Sequence, residues 1–520
     1  MKKILLGIAA TLLGSSLIYA NDTEIPNIFA EGQEMVAPEH STGLTPKRPQ
    51  TIAAQPQQPA LPIPMSPFVS ANNDAPRVAM AQPSVEMVAF AEPVVIPTSG
   101  GSESYLFAEM EQLRSAVQQL QKDTAKPDPK KSWSTPKLGG RLHMDSFSIN
   151  EPDDINDYQN KAGLSELRLT VTGTGYEVFD YKAELVTTGD ARINILDTWI
   201  GAKNVPGLGY FRIGHYNVET GLMYMGGSAQ TTLTAFSPAT LSFNLGRKFG
   251  CSSEHLFAND RIRWIYGFYQ GQTINGNNGT RVVTADNQGQ IFNTRLTAAP
   301  YYADKGRYVL HVGGHYSYIN GPSNHHSLST FLGGNNFITG SGNNNPLTTG
   351  DMYVNDGVNH HSRGGLELAY QSGPFRVLTE AFAADFGSVG TATGTVVECT
   401  YFLTGEHRAY NLATATFGAP NVKRPFRPFK CGDWNLVDGM GAWQAVARYN
   451  YTDLGDWRAA SVVNPRVVGG YQHDLTFGMN WYWTSNLRCI FEYTRSQQYA
   501  GTNLAHAYQD IFGTSIRVVW

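Results

Sequence analysis

The last two thirds of the chain alternate apolar and polar residues with a period of two. In "YEVFDYKAELVT", for example, Phe179, Tyr181 and Leu185 alternate with Asp180 and Glu184. Successive side chains of a strand point to opposite faces, so each such segment has one apolar face and one charged face. About 16 of these segments follow one another from residue 137 to the end, most of them around ten residues long. That is the length a tilted transmembrane strand needs.

The alternation predicts strands at 137–149, 164–173, 176–187, 195–203, 209–216, 242–250, 260–270, 290–299, 307–319, 363–371, 374–385, 396–404, 441–452, 472–484, 486–497 and 507–520. Tight connections alternate with long polar ones such as 271–289 and 320–362, as in outer-membrane barrels. The segment 405–440 is long although it falls on the side of the short turns. Either the strand count is wrong there or this segment folds inward.

Three segments of different composition precede the alternating region. Residues 1–20 combine two lysines, an apolar stretch and Ala20, which predicts a secretory signal peptide. Residues 21–101 hold 13 of the 27 prolines, which predicts a disordered Pro/Ala/Gln-rich linker. Within 102–124, apolar residues recur at heptad spacing and predict a short coiled-coil helix, either paired with copies of itself or solitary. Its seam is Leu106, Met110, Leu113, Val117 and Leu120.

Composition restricts the class of protein. The net charge of −4 gives no sign of nucleic-acid binding, and charged residues make up only 16% of the chain. No stretch after the signal peptide reaches 18 consecutive apolar residues, which argues against an α-helical membrane span. An exported chain with these strands can cross a membrane only as a closed barrel. The predicted fold class is all-β, a transmembrane antiparallel β-barrel of about 16 strands over 133–520, surrounded by outer-membrane lipid.

The chain ends in the alternating stretch "YQDIFGTSIRVVW". Phe512, Ile516 and Trp520 fall on one face, and Ser515 and Arg517 fall on the other. We expect the first set to contact lipid and the second set to face a lumen. A terminal aromatic residue after such a strand also resembles the assembly signal of outer-membrane barrels.

Several stretches resemble the phosphate-selective porins O and P, among them "YFRIGHYNVETGL", "GAWQAVARYNYTDL" and "DLTFGMNWYWTSNLRCIFEYTRS". The resemblance extends over roughly 137–520. It implies a homotrimer of 16-stranded barrels, an inward-folded loop at the constriction, and basic residues along a path for small anions such as phosphate. The connection matching the constriction, 217–241, carries no Lys or Arg, which argues against strong phosphate selectivity.

The charged face of each alternating strand, which we call its parity, identifies the candidate lumen residues. Rings of Arg or Lys in a lumen favour anions, and Arg binds two oxygens of an oxyanion at once. The alternative is that these charges pair across the lumen and only keep it hydrated, without selecting a solute. The candidate anion path comprises Arg168, Lys182, Arg212, Arg247, Lys248, Arg261, Arg263, Arg295, Arg307, Arg376 and Arg448; Arg488 and Arg517 share this face with Glu166, Asp180, Glu184, Glu367, Glu380, Asp474 and Glu492.

Other candidate chemistry is weak. The pairs His325–His326 and His360–His361 lack acidic or Cys partners at fixed spacing, so we predict no metal site and no cofactor. Cys399 and Cys431 bracket the segment 405–440 and are the best candidates for a disulfide in an oxidising compartment.

Three functions fit the sequence to different degrees. The leading hypothesis is an outer-membrane porin for passive diffusion of small hydrophilic solutes, with a preference for anions, phosphate among them. The second is a structural barrel whose N-terminal extension tethers it to the cell wall. An enzyme is the third and weakest, since neither a GxSxG motif nor a Ser/His pair on one strand is present.

Overall fold

The computed structural model describes residues 111–112, 114–115, 132–150, 160–187, 193–271, 289–321, 328–330, 349, 357–426, 439–455, 469–500 and 506–520. The predicted signal peptide and linker lie outside these ranges. Four residues of the predicted 102–124 helix are described, and all four are helical: Glu111, Gln112, Arg114 and Ser115. In the described ranges, no helix combines the length and apolar composition required to span a membrane.

Sixteen antiparallel strands form a closed barrel. They are β1 (Lys137–Asn150), β2 (Lys161–Gly175), β3 (Phe179–Thr187), β4 (Ile193–Val205), β5 (Gly209–Asn217), β6 (Arg247–Phe257), β7 (Ile262–Gln270), β8 (Gln290–Ala303), β9 (Tyr308–Asn320), β10 (His360–Ser372), β11 (Phe375–Asp385), β12 (Thr391–Phe402), β15 (Ala442–Asp453), β16 (Gly470–Tyr482), β17 (Leu487–Ala500) and β18 (His506–Val519). The predicted fold class is confirmed.

The first and last strands close the barrel. β1 pairs with β18 from Arg141 opposite Val519 to Asn150 opposite Asp510. Closure leaves no strand edge, so every strand finds hydrogen-bond partners on both sides, as a span through lipid requires.

The alternation in β18 places its apolar side chains on the outside of the barrel and its polar side chains on the inside. Phe512, Ile516 and Trp520 are 56%, 44% and 52% exposed on the outer surface of the barrel. Ser515 and Arg517 are buried on the inner side. The outer face is the one that lipid covers, so the predicted orientation of this strand is confirmed.

The sixth strand corrects the sequence prediction, because β6 begins at Arg247 rather than at residue 242. Pro238–Phe243 form a short helix, α2, whose first residue is a proline. The Ser237 hydroxyl caps it by accepting a hydrogen bond from the Thr240 amide (3.0 Å). A Ser cap followed by Pro is a strong helix start and overrides the apolar pattern of these residues.

The connection between β5 and β6 lies inside the barrel, and we call residues 218–246 the inner loop. It contains α1 (Leu222–Met225), a turn of 3-10 helix (Ser228–Gln230) and α2. Its apolar side chains Val218, Leu222 and Leu233 are buried. The predicted constriction segment 217–241 thus folds inward.

A second segment enters the barrel from the opposite rim, between β12 and β15. It contains a small hairpin formed by β13 (Arg408–Asn411) and β14 (Thr416–Pro420). Tyr410 and Phe417 are buried in the same apolar cluster as Leu222 of the inner loop. We call residues 408–420 the inner hairpin. The strand count was therefore right, and the long segment predicted at 405–440 folds inward at this hairpin, whereas Phe426 packs against Trp481 and Trp483 and Met440 is exposed.

Candidate functional site in the barrel lumen

The inner loop is fixed at its root by a buried carboxylate. The guanidinium of Arg263 (β7) donates two hydrogen bonds to Glu219, at 2.5 and 2.7 Å. Arg295 (β8) adds a third at 3.1 Å, and Arg212 (β5) lies 3.8 Å away. Burial by itself raises the pKa of the Glu219 carboxyl. The surrounding arginines, Arg263 foremost, have the larger and opposite effect, so the net pKa falls to about 2. The root of the loop is therefore an ionised carboxylate held by three cations.

The far wall of the barrel holds the helical part of the loop. Glu380 (β11) accepts hydrogen bonds from the amides of Leu222 (2.6 Å) and Met223 (3.1 Å), at the start of α1. The side-chain oxygen of Asn450 (β15) accepts one from the Ala239 amide in α2 (2.9 Å). These wall side chains satisfy backbone groups that a helix leaves unpaired at its first turn.

A buried carboxylate on β12 links the loop to two arginines. Glu398 accepts hydrogen bonds from Arg376 (2.7 Å) and Arg448 (2.8 Å), and also from the hydroxyl of Thr232 in the loop (2.5 Å). Arg448 in addition donates to the Ala235 carbonyl oxygen (2.9 Å). Both arginines are thus engaged in holding the loop.

The last two strands hold the tip of the loop through its carbonyl oxygens. Arg517 donates to Ser228 (2.9 Å), and Arg488 donates to Ala229 (3.1 Å). Glu492 (β17) accepts from the Thr234 amide at 2.9 Å. The loop is therefore bonded to the wall on several sides and is a fixed part of the lumen.

Burial shows which part of the lumen stays open. On the barrel strands from β7 to β18, nearly all lumen-facing side chains are buried beneath the inner loop and the inner hairpin. On the wall from β2 to β6, several charged side chains keep part of their surface accessible. Arg168 is 11% exposed, Arg212 17% and Lys182 23%. The accessible lumen runs along this second wall.

Seven charged residues on that wall and on the neighbouring strand β1 form a chain of ion pairs, and we call them the charged ladder: Arg141, Glu166, Arg168, Glu184, Lys182, Asp197 and Arg247.

Each carboxylate of the ladder bridges neighbouring cations. Glu166 contacts Arg141 and, at 2.9 Å, Arg168. Asp197 contacts Lys182 at 2.8 Å and Arg247 at 2.6 Å. Glu184 lies between these two pairs. Four cations face three carboxylates, so the ladder carries a net charge of +1.

The inner loop presents an uncharged surface to the ladder. Residues 218–246 include no Lys or Arg, and Glu219, their one carboxylate, is buried at the root. The Ser228 hydroxyl donates to Glu166 (3.2 Å), so the loop tip touches the ladder. The Tyr224 hydroxyl donates to the side chain of Asn217 (3.2 Å). The narrow part of the lumen thus has its charge on one side only.

The inner hairpin is held by the half of the wall that lies near the β8–β9 turn. The Tyr410 hydroxyl lies 2.7 Å from Nδ1 of His311 (β9). The side chain of Gln371 (β10) donates to the carbonyl oxygens of Gly306 (2.7 Å) and Arg408 (2.9 Å). Between hairpin and loop a small cavity of about 30 Å³ remains, lined in part by Arg376 and Phe417. This volume is large enough for a water molecule.

The structure separates the eleven predicted path residues into three groups. Those beside the accessible lumen are Arg168, Lys182, Arg212 and Arg247. Those buried beneath the inner segments are Lys248, Arg263, Arg295, Arg376 and Arg448. Those in turns at the rim are Arg261 and Arg307.

The residues of the second and third groups lie away from the accessible lumen. Parity identifies the face of a strand but not what covers that face. Arg261 lies in an exposed turn, where its guanidinium donates to the Tyr302 carbonyl oxygen (3.4 Å). Sequence reasoning also missed Arg141 and Asp197. Arg141 lies in a predicted strand with the right parity, whereas Asp197 lies beside a break in the β3–β4 register, where parity fails.

Cysteine and histidine residues add little to the site. Cys399 is a free thiol on the outer face of β12, opposite in orientation to Glu398, and Cys431 lies outside the described residues. The predicted disulfide therefore gains no support. His361 stacks on Phe386 (4.7 Å), while His325 and His326 are not described. Over the described ranges, no three His, Cys, Asp or Glu side chains are grouped as metal ligands.

Comparison with known proteins agrees with this geometry. The family described as phosphate-selective porin O and P matches residues 137–517. Porin O of Pseudomonas aeruginosa is 26% identical over 321 residues, which cover 53% of this chain and 69% of that protein. An uncharacterized protein of Caulobacter vibrioides is 26% identical over 395 residues, covering 72% and 71% of the two chains.

Solved structures of similar shape are more distant. OprB of Pseudomonas putida, at high pH, covers 75% of this chain and 94% of its own, with 8% identity and a TM-score of 0.45. An anion-selective porin from Comamonas acidovorans covers 74% and 99%, with 12% identity and a TM-score of 0.41.

Proposed function

The chain belongs to the phosphate-selective porin O and P family and is an outer-membrane porin, and we propose that it passes small hydrophilic solutes with a modest preference for anions. Solutes move between the charged ladder and the uncharged inner loop. The observation that carries the proposal is the balance of the ladder, four cations against three carboxylates, beside the accessible lumen.

The preference is modest because the cations of the ladder are largely neutralised. A surplus positive charge in a narrow, partly desolvated passage attracts anions more strongly than it would in bulk water. Arg168 and Arg247 nevertheless direct their guanidinium groups at Glu184 and Asp197. Few N–H groups are left to grip an oxyanion, and we expect small anions to pass without tight binding.

The test is a reversal-potential measurement on the purified protein in a planar bilayer under a KCl gradient. The proposal predicts steady conductance and a reversal potential displaced towards the chloride equilibrium potential, well short of ideal anion selectivity. A cation-preferring current would refute the assigned path. The lack of any conductance would refute the channel itself.

We further propose that the protein is a homotrimer, which the family membership and the predicted heptad seam Leu106–Leu120 support. Chemical cross-linking in detergent should give a limiting species of three chains. A species limited to one chain at all cross-linker concentrations would contradict this.

A further inference from the structure

Glu184 lies at the centre of the charged ladder, and its carboxylate is enclosed by donors from four side chains. Oε1 lies 2.6 Å from Nη1 of Arg168 and 3.7 Å from Nη2 of Arg247. Oε2 lies 2.9 Å from Nζ of Lys182 and 3.1 Å from the Thr170 hydroxyl. The carboxylate thus occupies a site made of two guanidinium groups, one ammonium group and one hydroxyl group.

This donor set is what a free oxyanion requires. Guanidinium groups bind two oxygens of a phosphate or carboxylate, and an ammonium group adds a compact positive charge. The site is also reachable from the lumen, because Lys182 is 23% exposed and Arg247 is 18% exposed. A solute anion in the accessible lumen would meet these donors if Glu184 did not already hold them.

Resting on the proposed anion path, we propose that Glu184 is a tethered oxyanion that fills a solute-binding site of the channel and thereby keeps it from retaining phosphate. Because the carboxylate is attached to β3, its effective concentration at the site exceeds that of a millimolar solute. Anions pass the filled site rather than stopping in it. Glu184 is therefore a determinant of specificity, because anions pass through the channel without being bound at this site.

Three variants separate the filling of the site from its charge. Glu184→Ala removes both the carboxylate and its volume, and opens the site. Glu184→Gln removes the charge but leaves the site filled by an amide. Asp180→Ala removes a carboxylate on the same strand that, among the described residues, pairs with one cation, Lys203, at 2.9 Å. All three raise the net charge of the lumen by one unit, so a saturable block found in Glu184→Ala alone comes from the empty site.

The experiment measures single-channel KCl current while inorganic phosphate is added, with acetate as a second probe. We expect phosphate to reduce the current of Glu184→Ala in a saturable manner, at a half-blocking concentration at least about tenfold below that of the wild type. Acetate, which matches the missing group, should block as well. Glu184→Gln and Asp180→Ala should shift the reversal potential towards chloride but should not acquire saturable block.

If Glu184→Ala conducts and phosphate blocks it no more than it blocks Asp180→Ala, the inference is wrong. Glu184→Ser, whose side chain is smaller than that of Glu, is a second variant to use if the alanine variant does not show β-type circular dichroism. A lack of additional phosphate block in Glu184→Ser would equally show that the inference is wrong. Failure of the proposed function looks different, because the wild-type channel would then pass no current or would prefer cations.

Discussion

Neutralising Glu219 tests whether the inner loop is held by buried ion pairs. The Glu219→Gln variant keeps the size of the side chain but removes the charge that Arg263, Arg295 and Arg212 surround. Removing one partner of a buried pair leaves an uncompensated charge, which costs several kcal/mol. Glu219 lies in the loop, not in a strand, so the barrel can form without it.

The magnitude follows from the pKa. The carboxyl pKa falls from its ordinary 4.5 to about 2 in the folded protein, which corresponds to about 3 kcal/mol of stability. A lowered pKa contributes stability fully above the unfolded value and loses it as pH falls through the folded value. The free-energy difference between wild type and Glu219→Gln should therefore be about 3 kcal/mol at pH 7 and shrink between roughly pH 4.5 and 2.

The assay is guanidinium unfolding in detergent micelles, followed by tryptophan fluorescence at several pH values. Carboxylates that share no arginine with Glu219 contribute equally in both proteins and cancel in the difference. The matched control is Glu254→Gln, which loses a partly exposed partner of Arg263 (2.9 Å) and should cost less than about 1 kcal/mol. A wild-type-minus-variant difference that is near zero at pH 7, or that does not change down to pH 2, would refute the reasoning.

Three further predictions concern the ladder, the loop tip and the hairpin. Arg247→Gln lowers the net charge of the ladder from +1 to zero, so the anion-to-cation permeability ratio from reversal potentials should fall towards one; an unchanged ratio would count against the ladder. Arg517→Ala removes the donor to the Ser228 carbonyl oxygen and should destabilise the barrel by about 2 kcal/mol and increase current noise. Variant traces as quiet as those of the wild type would contradict this role. Tyr410→Phe removes the hydroxyl contact with His311 and should cost about 1 kcal/mol in the same unfolding assay without changing selectivity.

The barrel could be predicted from the sequence because its physical cause is local. A strand between lipid and water must alternate, and the alternation is legible residue by residue. The strand displaced most from its predicted position, β6, is displaced for an equally local reason, since Ser237 and Pro238 start a helix where the apolar pattern suggested a strand.

The lumen could be predicted only in part, because its character depends on contacts between distant segments. Parity correctly placed Arg295 and Arg448 inside the barrel, but the inner loop covers both, and no local signal announces that. The Glu219–Arg263 pair joins residues 44 positions apart, and the Glu398–Thr232 bond joins residues 166 apart. Pairings of this kind depend on the closed barrel and on the folded loop together.

The most direct test of the account asks where the current flows. Cysteine is introduced in place of Thr172, which pairs with Lys182 beside the ladder, or in place of Thr476, which is buried on the inner face of β16. A charged, thiol-reactive methanethiosulfonate is then added during single-channel recording. The account predicts a stepwise loss of current for Thr172→Cys and an undisturbed current for Thr476→Cys. Loss at Thr476→Cys with no effect at Thr172→Cys would place the path on the other wall and contradict it.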